Sequence, residues 1–225
     1  MKYLLDTANL DAIRRFYDIM PIYGVTSNPS IVKKEGKIDF WAHMNEIRSI
    51  IGKESPLHIQ VTALDCDGML RDADAIMNKV DTNVYVKVPV NMEGIRAIRL
   101  MKKQGINVTA TAIYSKQQAF LAMEAGADTV APYFNRMENM GIDPDDVIAS
   151  IAEAIANYGY KTEILAASFK NAGQINRAFE AGAQTATTDP AILEAALSQA
   201  HIIDAVNAFD RDWKAIYGDE LLSTL

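Results

Sequence analysis

One pattern limits this chain more than any other. Stretches with strand character alternate with stretches of helical periodicity along its whole length, and two changeovers carry the same tripeptide. Ala125-Gly126-Ala127 and Ala181-Gly182-Ala183 each stand between the end of a helical pattern and the start of a strand pattern. A glycine at that point ends a helix by taking a left-handed backbone, and the strand follows at once. Strand character falls at residues 2–7, 24–29, 57–62, 84–90, 107–113, 128–134, 163–169 and 184–188. Helical character falls at 10–20 (with Asn9 as its cap), from Pro29, at 39–51, 67–80, 94–103, 116–125, 144–158 and 172–181, from Pro190, and at 201–217. A repeated βα unit is the mark of a parallel sheet. Eight of them, with no compositional shift to mark a linker, predict an α/β chain folded as a single (β/α)8 TIM barrel over 1–225, with an additional C-terminal helix at 201–217. A doubly wound open sheet is the alternative, but no glycine-rich phosphate loop follows the first strand. At 225 residues a barrel must have short loops.

Within the fourth strand, Val84-Tyr85-Val86-Lys87-Val88-Pro89-Val90, one residue does not suit an apolar wall. Burying an ammonium without a partner costs several kcal/mol or more, so such a lysine tends to give up its proton. The neutral amine is a nucleophile toward carbonyl carbon. An ion pair with a nearby carboxylate, or an ammonium that reaches solvent at the strand end, is the ordinary account of Lys87.

Barrel enzymes place their sites at the C-terminal ends of the strands. The polar residues there are Asp6, Asn28, Gln60 with Thr62, Lys87, Thr109 with Thr111 and then Tyr114, Tyr133 with Asn135 and Arg136, Ser168 with Lys170, and Thr187-Thr188-Asp189. Alternation puts Asn107, Thr109 and Thr111 on one face and Val108, Ala110 and Ala112 on the other; the apolar face belongs under helices, so the threonines point inward. The same reasoning turns Gln60 inward with His58, and Asp6 inward with Leu4. Singly, each has a structural account: Asp6 or Asn28 as a cap, threonine as a common strand residue. Polar groups at every strand end around one lysine point to a site.

Composition narrows the chemistry. A net charge of −7 disfavours nucleic acid and anionic membranes as partners, so an anionic substrate needs a local basic pocket. Cys66 is the sole cysteine, which leaves no intramolecular disulfide and suits a reducing compartment. With neither a signal-peptide pattern nor a membrane-spanning run, the expected location is the cytoplasm. His43, His58 and His201 show no ligand spacing, and Asp65-Cys66-Asp67 reads as a loop and helix cap, so no metal site and no cofactor is expected.

Several stretches resemble the small transaldolases, and among them the fructose-6-phosphate aldolases: Leu5-Asp6-Thr7, Gly24 to Ser30 (Gly-Val-Thr-Ser-Asn-Pro-Ser), Val86-Lys87-Val88-Pro89-Val90, Val130-Ala131-Pro132-Tyr133 with Asn135-Arg136, and Leu165 to Lys170 (Leu-Ala-Ala-Ser-Phe-Lys). The resemblance runs over essentially the whole chain. It implies a (β/α)8 barrel, a metal-independent Schiff-base mechanism on Lys87, and a homo-oligomer, a pentamer or a decamer of two pentamers, whose C-terminal helix reaches a neighbour. It implies small-molecule partners: ketose and aldose phosphates and dihydroxyacetone. It gives a proton shuttle to Tyr133, through a water held by Gln60 and Thr111, and the orientation of donor hydroxyls to Asp6. It places the donor's hydroxymethyl at Asn28, with Thr26 beside it, and the phosphate at Arg136 and Ser168; an ion pair of Arg136 with Glu138 or Asp143 is the structural alternative. Transaldolases carry glutamate and phenylalanine where this chain has Gln60 and Tyr133, which favours the aldolase, cleaving fructose 6-phosphate to dihydroxyacetone and glyceraldehyde 3-phosphate, over the dihydroxyacetone-transferring transaldolase acting on sedoheptulose 7-phosphate. Two departures stand: Thr26-Ser27 replaces Thr-Thr, and Thr187-Thr188-Asp189 lacks an apolar-proline pattern, which keeps another anionic ketose open.

Overall fold

The computed structural model describes residues 1–225. Its elements alternate as the sequence pattern predicts: β1 (Lys2–Asp6), α1 (Leu10–Ile19), β2 (Ile22–Thr26), α2 (Pro29–Val32), a 3-10 turn (Lys33–Glu35), α3 (Phe40–Ile51), β3 (Leu57–Gln60), α4 (Cys66–Lys79), β4 (Tyr85–Pro89), α5 (Met92–Lys103), β5 (Asn107–Ile113), α6 (Lys116–Glu124), β6 (Thr129–Pro132), α7 (Phe134–Asn139), α8 (Pro144–Tyr158), β7 (Glu163–Ala166), α9 (Ala172–Glu180), β8 (Thr185–Thr188), α10 (Pro190–Leu197) and α11 (Ala200–Tyr217). The eight strands close into a parallel barrel in the order β1 to β8, with β8 returning to β1. The chain forms two compact units, residues 1–190 and 191–225.

Short polar caps start most of the barrel's helices. Asn9, Asn28, Asp39, Asp65, Asn91, Ser115, Asp143 and Asn171 each accept a hydrogen bond from a first-turn amide. Those amides have no partner inside the helix, so a side-chain acceptor lets the helix start within a few residues of the strand end. Asp65 confirms the cap reading of Asp65-Cys66-Asp67, accepting from Gly68 at 2.8 Å. Val25, Ile59, Val86, Val88, Val108, Val130, Ile164 and Ala186 are completely or almost completely buried. They form the apolar outer wall beneath the helices.

The register shows what faces inward. Asp6 pairs with Thr26, Thr26 with His58, His58 with Tyr85, Gln60 with Lys87, Lys87 with Thr109, Thr109 with Thr129, and Leu4 with Thr187. Barrel interiors are ordinarily filled by branched apolar residues. Here threonines fill much of the space, and they are hydrogen-bonded: Thr26 to Asp6 and to Thr187, each at 2.6 Å, and Thr109 to His58 at 2.8 Å.

Three expectations are corrected. The sixth strand ends at Pro132, and Asn135 and Arg136 lie on α7, a helix absent from the sequence reading. The amides of Phe134 and Asn135 still donate to Ala167 and Ser168 on the seventh-strand side, so the helix starts while the ladder continues and the segment keeps a strand-like pattern. The seventh strand ends at Ala166, and Ser168 takes a left-handed backbone with φ 65°. Thr188, one step out of phase with inward Thr187, leaves the mouth and buries its hydroxyl without a partner.

In the second unit the indole of Trp213 on α11 donates to the carbonyl of Glu220 at 2.6 Å and packs on Tyr217. Ile203, Val206, Phe209 and Ile216 are exposed. No helix is long and apolar enough to cross a membrane.

Close packing behind the Lys87 strand sets a test. A Cβ on Gly94 at the start of α5 would lie 1.9 Å from the carbonyl oxygen of Pro89, the last residue of β4. Gly94→Ala is expected to destabilise the fold by about 2 kcal/mol or more, read as a lower denaturant midpoint.

Candidate active site

Lys87 sits in the middle of the barrel wall and is 4% exposed. Its amine has neither a hydrogen bond nor an ion pair; burial pushes its pKa below the ordinary lysine value, and only the charge of Asp6 pulls the other way. The ion-pair account of this lysine is therefore not what the fold provides. Asp6, at the end of β1, responds in the opposite sense. Burial raises its pKa, while Lys87 and the Thr26 hydrogen bond hold it down. Thr26 is fully buried, its hydroxyl shared between Asp6 and Thr187, so it braces Asp6 from beneath the mouth. On β3, His58 occupies the layer under Gln60 and Lys87. Its Nδ1 meets the Thr109 hydroxyl at 2.8 Å and its ring stacks on Tyr85 at 4.7 Å. Burial, followed by the charges of Lys87 and Arg48, lowers its pKa to about 3.

Across the mouth, Tyr133 and Thr111 share a hydrogen bond of 2.9 Å. Tyr133 is 8% exposed and sits where β6 turns into α7. The Arg136 guanidinium lies 4.7 Å above its ring, and Nη1 donates to the Tyr114 hydroxyl at 3.1 Å. Arg136 does not pair with Glu138 or Asp143. Glu138 is held by Arg177 and Gln174, and Asp143 caps α8. Ser168 follows β7, its carbonyl accepting from the Asn135 amide at 3.0 Å.

Asn28 caps α2 with its side chain and lines a cleft of about 290 Å³ with Ser27, Phe40, Ile59, Gln60 and Thr62. Gln60, half-buried beside Lys87 in the register, borders this cleft. It is not bonded to Tyr133, whose hydroxyl is taken by Thr111. A larger hollow of about 600 Å³ lies between α6 and α8 on the outside and is lined by none of these residues. His43 bonds the Ala8 carbonyl, His58 lies in the interior and His201 is on α11; no group of three or more histidine, cysteine or acidic residues gathers to hold a metal. The sequence reading missed α7 and the contact of Tyr114 with Arg136. Neither follows from periodicity, because one is a six-residue helix and the other depends on an irregular strand.

Comparison with known proteins agrees with this architecture. Residues 3–220 match the family model described as transaldolase/fructose-6-phosphate aldolase. A "Probable fructose-6-phosphate aldolase" of Streptococcus pneumoniae (strain ATCC 700669 / Spain 23F-1) is 45% identical over 216 residues, covering 96% of this chain and 97% of the relative. A "Probable transaldolase" of Methanococcus maripaludis (strain C6 / ATCC BAA-1332) is 36% identical over 215 residues, covering 96% and 98%. Another "Probable transaldolase", of Brachyspira hyodysenteriae (strain ATCC 49526 / WA1), is 33% identical, covering 97% and 100%. The chain is thus a barrel enzyme of the aldolase type. It belongs to the transaldolase/fructose-6-phosphate aldolase family.

The buried imidazole has a pH consequence. An unfolded chain protonates His58 near its ordinary value of 6.5, whereas the folded chain resists protonation down to about 3. The unfolded state therefore binds more protons in this window, and stability falls as pH drops through it. His58→Phe is expected to remove roughly 3 kcal/mol of acid destabilisation at pH 4, seen as a flatter pH dependence of the denaturation midpoint between pH 6.5 and 4.

Proposed function

We propose that this protein is a class I aldolase that reversibly cleaves fructose 6-phosphate into dihydroxyacetone and glyceraldehyde 3-phosphate. The observation that carries the reading is Lys87: a buried amine with no ionic partner, in a barrel of this family, paired in register with Gln60 and influenced by the charge of Asp6. At the reference pKa only about one lysine in a few thousand is neutral at pH 7, and burial removes much of that handicap.

The neutral Lys87 amine adds to the C2 carbonyl, and loss of water gives an iminium. A base takes the C4 hydroxyl proton, the C3–C4 bond breaks, and its electron pair moves onto the iminium to give an enamine as the aldehyde leaves. Protonation at C3 and hydrolysis then release dihydroxyacetone and restore the amine. Tyr133, oriented by Thr111, supplies and receives protons through a water that Gln60 helps to hold. A phenol stays protonated at neutral pH and can donate. Asp6 orients donor hydroxyls and assists at the C4 hydroxyl, with Thr26 fixing its carboxyl rather than touching substrate. Asn28 holds the C1 hydroxymethyl group. Arg136 and Ser168 take the phosphate, which suits a guanidinium fork. No metal enters these steps, since the iminium is the electron sink.

The transaldolase reading has its support in the relatives that carry that name, and one assay separates the two. Glyceraldehyde 3-phosphate release from fructose 6-phosphate is measured with no acceptor aldehyde and with chelator present. Sustained multiple turnover is expected, together with inactivation by borohydride in the presence of dihydroxyacetone and loss of turnover in Lys87→Arg. Release that stops near one equivalent and resumes with erythrose 4-phosphate would make the enzyme a transaldolase. Substantial activity in Lys87→Arg would remove the Schiff base.

We further propose a cytoplasmic homo-oligomer, a pentamer or a decamer, in which α11 packs on a neighbouring subunit. Its exposed Val206, Phe209 and Ile216, at helical spacing, support this. Phe209→Asp should shift the protein to smaller species in sedimentation velocity; a wild-type protein that sediments as one chain would refute it.

A further inference from the structure

Tyr114 lies at the mouth through a break in strand alternation. Up to Thr111, β5 alternates regularly, with Thr109 and Thr111 facing inward. Strict continuation would send Ile113 inward and Tyr114 outward. Instead β5 pairs Ala110 with Val130 and then Ile113 with Pro132, three steps against two, so it carries one residue more than β6. The extra residue is absorbed where Ala112 takes φ 57°, in the left-handed region. Bulges of this kind re-aim the side chains beyond them and recur beside active sites.

The result is that Thr111 and Tyr114, which are of opposite parity, both reach Tyr133. Thr111 bonds its hydroxyl at 2.9 Å, and the Tyr114 ring meets its ring edge-on at 5.6 Å and 78°. Arg136 completes the cluster, its guanidinium 4.7 Å over Tyr133 and Nη1 on the Tyr114 oxygen at 3.1 Å. An arginine side chain has many rotamers to lose and offers five donors. Here one donor and one face are engaged by aromatic side chains before any ligand arrives. No carboxylate forms an ion pair with it: the acids nearest in sequence are occupied by Arg177, Gln174 and the α8 cap.

We propose that Tyr114 is a positioning residue for the phosphate half of the substrate. Together with the Tyr133 ring it restrains Arg136 so that the remaining guanidinium donors meet a phosphate monoester, and the bulge at Ala112 is the backbone device that brings it there. This rests on the assignment of the phosphate to Arg136 made above.

Tyr114→Phe keeps the ring and removes only the oxygen that accepts from Arg136. The test is calorimetric titration with inorganic phosphate of wild type, Tyr114→Phe, Arg136→Ala and the double variant. Tyr114→Phe is expected to raise Kd about three- to tenfold, and to have no further effect once Arg136 is alanine. In the synthesis direction, KM for glyceraldehyde 3-phosphate should rise by the same factor with kcat within about twofold, and KM for unphosphorylated glyceraldehyde should move less. Unchanged phosphate affinity in Tyr114→Phe, or an equal loss with and without Arg136, overturns the proposal. If wild type cleaves fructose 6-phosphate while Tyr114→Phe leaves phosphate affinity unaltered, only the role of Tyr114 falls. If wild type neither binds phosphate nor cleaves that sugar, the functional reading falls and this proposal with it.

Discussion

Lys87 is held in the barrel wall with no counter-ion against its amine, and much of the surrounding structure answers to that fact. A cation removed from water is costly, and here the only compensation from charge is the pull of Asp6. The cost appears as a lowered lysine pKa and a raised aspartate pKa, and the charge of each group offsets part of the shift in the other. A close ion pair would have fixed the lysine in its charged state. Without one, burial is the larger influence on the lysine and lowers its pKa.

The interior around this pair is built from hydroxyls. Threonine has nearly the shape of valine and can pack in a strand, but it also donates and accepts. Thr26 uses both abilities, joining Asp6 to Thr187 across β2, β1 and β8. Thr109 does the same for a neutral histidine beneath the lysine. Such a floor satisfies its own polar groups without adding charge, so the field at Lys87 is set by Asp6 and by burial rather than by a nearby ion. Arg136, which forms no ion pair, lies over the Tyr133 ring and donates to the Tyr114 hydroxyl.

The placement of many candidate residues was legible along the chain, residue by residue. Lys87 stood out because a charged residue interrupts a run of β-branched ones. Gln60, Thr109 and Thr111 followed from alternation, because the pairings of β3 with β4 and of β4 with β5 keep strict register. Thr26 was recognised as belonging near the mouth, but its full burial and double hydrogen bond depend on where β8 closes against β1, and a contact 161 residues away leaves no local pattern. Arg136 was noticed as a polar residue at a strand end, although it stands on a short helix whose first amides still serve the sheet. Thr188 was assigned to the mouth with Thr187, and alternation separates them.

The sequence by itself determined the alternation of strands and helices, the caps between them, the class of barrel and the lysine at its centre. These rest on local preferences: a period of 2 or 3.6, a cap one residue before a helix, a glycine after it. Only the tertiary structure decided which hydroxyl meets Asp6, that Lys87 has no partner, and that Tyr114 reaches Arg136. The reason is closure of the barrel. Register around eight strands and one inserted residue in β5 set distances between side chains far apart in the chain, and those distances decide which polar groups are paired and which are not.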